Sequence, residues 1–250
     1  ARASIAGQDG KVIASARAFT VPANGTWRYC ALVAIPNTAK SGPATISAKA
    51  SRSIYPIESE APFTVAPRAF TEETVVLDAA NTAIKTDYGA ERMKQIRALN
   101  EILFAFNTDA PRYSGPFRAP LDSLRRTAEF GDRRTWRYPG GKSETSVHFG
   151  VDFGVARGTP VFAAGDGLVV MAANRVSTGL TVVIEHNPGV YSLYYHMEAL
   201  LASEGELVRA GTLIGRSGST GLSTGPHLHW EFRVNGEAVS PDWFAGRILY

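Results

Sequence analysis

The stretch HLHWEFRV, from His227 to Val234, narrows the possible folds of this chain more than any other. Leu228, Trp230, Phe232 and Val234 alternate with His227, His229, Glu231 and Arg233. A period of two is the signature of a strand with one face in a core and the other toward solvent. The apolar face is ordinary. The other face carries two imidazoles at i and i+2, so this chain needs a sheet that presents histidines side by side.

The rest of the chain supports a β-rich protein. Its 250 residues suffice for two domains, and 44% hydrophobic with 20% charged residues is ordinary globular composition. The 24 glycines suit turns between strands. No window approaches the roughly 18 apolar residues of a membrane span. The opening ARASIAGQDG lacks the basic start and apolar run of a signal peptide, which leaves the compartment open. Net charge is +3, a mild bias towards anionic partners, with no long basic run. Cys30 is the single cysteine, so no intramolecular disulfide forms, and its apolar surroundings mark a structural thiol.

Three sections follow one another. Residues 1–67 read as short strands with a hairpin signal at Asn24-Gly25, a pattern that predicts a small immunoglobulin-like β-sandwich. Residues 68–125 read as a linker with an amphipathic helix from about Asp87 to Asn107. Its apolar stripe runs Ala90, Met93, Ile96, Leu99, Leu103, Phe106. Residues 126–250 are again β-like, with LVVMAA, LTVVIEH, VYSLYYH and HLHWEFRV as strands. All five histidines lie in this last section, the first being His148. The expectation is therefore that the N-terminal half positions or regulates and takes no part in the chemistry.

Four histidines fall into three motifs. HFGVD places His148 and Asp152 four apart, on one face if both lie on a strand, with Gly150 keeping that face open. YYH ends at His196, and GPHLH holds His227 and His229. Neutral imidazole and carboxylate are the ordinary ligands of a catalytic zinc ion, usually three with a fourth position open. A thiolate-rich structural site is excluded by the lone cysteine. Ser217–Gly225, SGSTGLSTG, suits a mobile cleft-edge loop and lacks the lysine of a phosphate-binding loop. His186, in IEHNPG, suits a structural role.

As a set, HFGVDFG, SLYYHM and GPHLHWEFR resemble the lysostaphin-type, LytM-domain zinc endopeptidases. GTPVFAAGDGLVV, LTVVIEHNPGVYS and VRAGTLIGRSGSTG follow that family's order, and FGDRR resembles its lead-in. The resemblance covers roughly Phe130 to Trp243. It implies an antiparallel β-sheet peptidase domain, a mainly β fold overall and one zinc ion per chain. It makes His148, Asp152 and His229 the metal ligands and His196 and His227 the catalytic pair. Glu231 becomes a candidate second partner of a ligand. The implied substrate is the peptide part of bacterial peptidoglycan, in the periplasm, cell envelope or outside the cell, with no nucleic-acid partner. A non-enzymatic module of the same fold, binding wall or activating a separate amidase, is the alternative. The cross-link cut and the oligomeric state stay open.

Overall fold

The computed structural model describes residues 1–23, 25–51, 57–123 and 125–250. The N-terminal part is built from β1 (Arg2–Gly7), β2 (Val12–Arg17), β3 (Phe19–Ala23), β4 (Thr26–Cys30), β5 (Gly42–Ala50) and β6 (Ile57–Val65). β2-β1-β5-β6 form one antiparallel sheet, and β3 with β4 form a separate hairpin. Ala23 opposes Thr26 across that hairpin, around the Asn24-Gly25 pair. Asn24 itself lies outside the described residues. The run TWRYCALVAI stays strand only to Cys30. Cys30 is half-buried, and burial pushes its thiol up.

The middle section holds more than a helix. It contains β7 (Glu72–Val76), α1 (Ala79–Lys85) and α2 (Ala90–Phe104). Asp78 caps α1 by accepting from the backbone N–H of Asn81. α2 buries Leu99 and Leu103 against Met171, Val183, Tyr191, Leu193 and Tyr195, whereas Met93 at its start stays exposed. The helix's polar face also makes contacts. Arg92 donates to the Ser177 hydroxyl at 2.9 Å, and the Gln95 side-chain oxygen accepts from the backbone N–H of Val176 at 2.8 Å. Both hold the turn after a strand of the large sheet.

That sheet dominates the rest. Its elements are β8 (Arg126–Ala128), β9 (Arg133–Arg137), β10 (Ser143–Val147), β11 (Val151–Phe153), β12 (Pro160–Phe162), β13 (Gly167–Arg175), β14 (Gly179–Asn187), β15 (Val190–Leu200), β16 (Leu207–Val208), β17 (Leu213–Ser217), β18 (Leu228–Val234) and β19 (Glu237–Val239), then α3 (Pro241–Phe244). The path is β16-β13-β14-β15-β18-β11-β8, with β12, β17 and β19 attached beside it. β9 and β10 leave this path and form a small sheet with β7, in the order β10-β9-β7. The β7–β9 pairing is parallel, with Glu73 opposite Arg134.

β18 is central, flanked by β15 and β11. Its apolar residues meet Phe117 and Phe244: the Phe232 and Phe244 rings stack 4.2 Å apart, and Phe117 packs edge-on to Phe232 at 5.4 Å. The expected solvent face is not solvent-facing. His229 and Glu231 are 8% and 2% exposed, because neighbouring strands and their side chains enclose them. A strand inside a wide sheet can thus be buried on both faces while its sequence still alternates.

His186 has the structural role expected of it. It is fully buried, with Nδ1 on the Asp166 carbonyl at 2.8 Å and Nε2 on the Ser192 hydroxyl at 2.7 Å. Burial pushes its pKa down from 6.5 to about 4. Between those values the unfolded chain takes up a proton that the folded chain refuses. Its stabilising contribution is therefore complete above the unfolded value and lost as pH falls towards the folded one. The loss is on the order of 3 kcal/mol. Urea unfolding at about pH 7 and about pH 4.5 should show a smaller acid loss for His186→Gln than for the wild type. Equal losses would remove His186 as a source of the pH dependence.

Candidate metal centre and cleft

The sheet register brings the site together. Asp152 on β11 lies directly opposite His229 on β18, and Tyr195 on β15 lies opposite His229 from the other side. His148 arrives differently from the expected single strand. β10 ends at Val147 and β11 begins at Val151, so residues 148–150 break the strand and fold His148 inward. Its backbone is held there, the N–H donating to the Asp132 carbonyl at 2.9 Å and the carbonyl accepting from Gly131 at 2.8 Å. Gly150 makes the approach possible. A Cβ there would sit 2.4 Å from the Trp230 carbonyl and 2.7 Å from His229 Nε2.

Three atoms converge. His148 Nε2 is 3.1 Å from Asp152 Oδ1 and 3.0 Å from His229 Nδ1, and His229 Nδ1 is 2.8 Å from Asp152 Oδ1. Their other atoms are engaged outward. His148 Nδ1 donates to the Glu129 carbonyl at 2.8 Å, which leaves Nε2 as an acceptor. His229 Nε2 faces Glu231 Oε2 at 3.5 Å. Glu231 is itself buried and ion-paired with Arg233. Asp152 Oδ2 accepts from Arg134 Nη2 at 2.7 Å, and Arg134 in turn donates to Glu73 from β7.

Such a cluster needs positive charge at its centre. Burial works against the charged form of Asp152, yet its contacts with His148 and His229 hold the carboxyl well below the usual carboxylate range. Burial also opposes charge on His229, but Asp152 and Glu231 push it up to about 9. A proton on His229 thus neutralises the cluster, and a cation bound there would displace it. Two imidazoles and one carboxylate suit zinc. The spacing approaches the roughly 3.3 Å between donors about 2.0–2.1 Å from one tetrahedral ion. Among the described residues this is the one group of three or more His, Cys, Asp or Glu side chains placed to share an ion.

His196 and His227 stand beside the cluster, their rings 4.7 Å apart. His196 Nδ1 donates to the Thr220 carbonyl, and His227 Nδ1 donates to the Gly225 carbonyl, each at 2.8 Å. Both neutral rings therefore turn an unprotonated Nε2 away from those carbonyls. His227 Nε2 lies 3.9 Å from Asp152 Oδ1. Burial first, then the neighbouring His227 and His229, push His196 down to about 3; burial likewise lowers His227. His196 has φ of 62°, a left-handed backbone rare outside glycine. The Thr178 carbonyl pins it by accepting its N–H at 2.8 Å, from the same turn that α2 grips.

These groups line a cleft of about 300 Å³. Glu73 and Val75 from β7 stand on one side, and Leu222 to Pro226 on another. The Ser217–Gly225 loop is well tied: Thr220 donates to the Met197 carbonyl, Ser223 to the Gly225 carbonyl, and the Ser223 N–H to Asn81 of α1. A larger hollow of about 490 Å³ lies on the N-terminal sheet between Gly7, Pro43 and Thr64, with no titratable side chain in its lining. Sequence reasoning missed Glu73, the role of Arg134, and Tyr195, whose ring stacks on His229 at 5.1 Å. Of these, Tyr195 alone had a local signal, the alternation of VYSLYYH.

The region that holds this site is similar to known proteins. Residues 146–241 match the family model of Peptidase family M23. The DD-carboxypeptidase/endopeptidase Mpg of Neisseria meningitidis is 42% identical over 127 residues, 49% of this chain and 27% of that protein. The peptidoglycan DD-endopeptidase ShyA of Vibrio cholerae is 42% identical over 124 residues, 49% of this chain and 28% of that protein. The chain thus spans little more than a quarter of the length of these curated relatives. A crystal structure of a peptidase M23 chain from Pseudomonas aeruginosa shares the fold over 99% of this chain and 89% of that one, at a TM-score of 0.64 and 23% identity. Residues 146–241 of the chain are thus similar to Peptidase family M23, in line with the LytM-type motifs they contain.

Gly150→Ala tests the local packing. The added methyl group cannot fit beside His229 without moving it, so zinc affinity should fall by about tenfold or more in chelator competition. Unchanged affinity would show that Gly150 does not set the position of His229.

Proposed function

We propose that this chain is a zinc-dependent endopeptidase that hydrolyses peptide bonds in the cross-links or stem peptides of bacterial peptidoglycan. The observation that carries the reading is the triangle of His148, Asp152 and His229 acceptors with two further imidazoles at its edge. The names of the two curated relatives support the substrate class. One ion per chain is the stoichiometry that a single triangle accommodates. Peptidoglycan lies outside the cytoplasmic membrane, so the reading places the protein in the periplasm, cell envelope or medium. No described helix is long and apolar enough to cross a membrane.

His148, Asp152 and His229 would hold the zinc. When bound, zinc polarises a peptide carbonyl and makes water a nucleophile near neutral pH. The protein's own groups supply the rest. Neutral His196 and His227 can each accept a proton at Nε2, because their Nδ1–H groups are fixed on carbonyls. One takes a proton from the attacking water at Nε2, and that same proton, given back by this ring or passed through the neighbouring ring 4.7 Å away, goes to the leaving amine; the ring carrying it meanwhile steadies the oxyanion. Glu231 fixes the orientation of His229 from behind, as outer partners of metal-bound imidazoles do.

Metal analysis of purified protein should find about one zinc per chain. His148→Ala, Asp152→Ala and His229→Ala should each lose it. His196→Ala and His227→Ala should keep zinc and lose turnover by roughly 100-fold or more. Mass spectrometry of fragments released from purified peptidoglycan reads the turnover and identifies the bond cut. Full activity in His196→Ala and His227→Ala alike would remove them from the mechanism, and zinc-loaded wild type that releases no fragments would refute the enzyme.

A further inference from the structure

Resting on that reading, we infer that Glu73 and Arg134 are positioning residues for the ligand Asp152, so that the segment before the peptidase region is part of the metal centre. Asp152 is 5% exposed, and both of its oxygens need partners. Oδ1 points into the triangle. Oδ2 accepts from Arg134 Nη2 at 2.7 Å, and that bond sets the rotation of the carboxylate. Arg134 is held in turn by Glu73, its direct opposite in the parallel β7–β9 pair. The guanidinium thus has one carboxylate on each side.

Charge makes Glu73 more than a brace. A lone arginine against Asp152 would place a full positive charge next to a cation site and weaken it. Glu73 offsets that charge, leaving Asp152 to act as an anion towards its ligand. The side chains of Glu73 and Arg134 are 31% and 15% exposed, so water screens the pair only partly. The same upstream segment is anchored at two further points. Lys85 of α1 pairs with Glu144 on β10 at 2.9 Å and lies over the Trp136 ring at 5.4 Å. Asn81 accepts from Ser223 in the cleft loop at 3.2 Å. Glu73 and Val75 therefore line the cleft, and the segment that carries them is tied to its loop through Asn81 as well as to Asp152 through Arg134.

The test measures zinc affinity of the full chain by chelator competition, with thermal unfolding as a check on folding. Arg134→Met should weaken zinc binding by about 10- to 100-fold, the usual range for loss of an outer partner of a metal ligand. Arg134→Lys should recover part of it. Glu73→Gln should weaken binding by several-fold, which a purely structural brace would not require of an isosteric change. Combined with Arg134→Met, Glu73→Gln should add little, because its route to Asp152 is already cut. If Arg134→Met fails to fold, Arg134→Lys replaces it in the same pairing with Glu73→Gln. Zinc affinities within about twofold of wild type for both single variants would overturn the inference, given that outer partners ordinarily cost tenfold or more. So would full additivity of the two changes. Wild type that binds no zinc fails differently: it removes the metal centre itself, and the inference with it.

Discussion

A buried carboxylate facing two imidazoles organises this molecule. Asp152 cannot be left charged in the interior without partners on both oxygens, and the fold supplies them from different places. His148 comes from a strand break, His229 from the central strand, and Arg134 from a separate small sheet. Each supporting residue has its own support: the Glu129 carbonyl behind His148, Glu231 behind His229, and Glu73 behind Arg134. The wide antiparallel sheet provides rigidity because β11, β18 and β15 place Asp152, His229 and Tyr195 at one level.

The two outer histidines follow the same logic with opposite electrostatics. The ligand cluster favours positive charge, while His196 and His227 are held neutral by burial. Each has one nitrogen occupied by a backbone carbonyl, so the reactive nitrogen is chosen by the fold. The left-handed backbone at His196 shows how firmly the surroundings impose its direction. Part of that firmness comes from α2, which grips the turn carrying Thr178.

Much of this was legible in the residues. The alternation of HLHWEFRV marks a strand, and HFGVD and HLH mark candidate ligands, but it is the resemblance to LytM-domain peptidases that singles out His148, Asp152 and His229, the three that converge. The apolar stripe of α2 was visible too, though only Leu99 and Leu103 became buried. What escaped has physical reasons. HFGVD gives no sign that its first residue lies beyond a strand break, because Gly150 reads equally well as an open spot on a strand. Glu73 and Arg134 are 61 positions apart and meet through a parallel pairing, which leaves no local periodicity to detect. The burial of Glu231 depends on strands on both sides, a property of the sheet rather than of the strand.

The parallel pairing of β7 with β9 has one more consequence. Without β7, β9 would be an outer strand carrying a row of unpaired backbone N–H and C=O groups beside Trp136. Such an open edge is a template for strands of other chains. Glu72–Val76 covers it with a short strand that turns Glu73 to Arg134 and leaves Glu72 exposed at the new edge. The piece of chain ahead of the peptidase region therefore also closes the backbone edge of β9 and leaves only a five-residue strand at the rim of that small sheet.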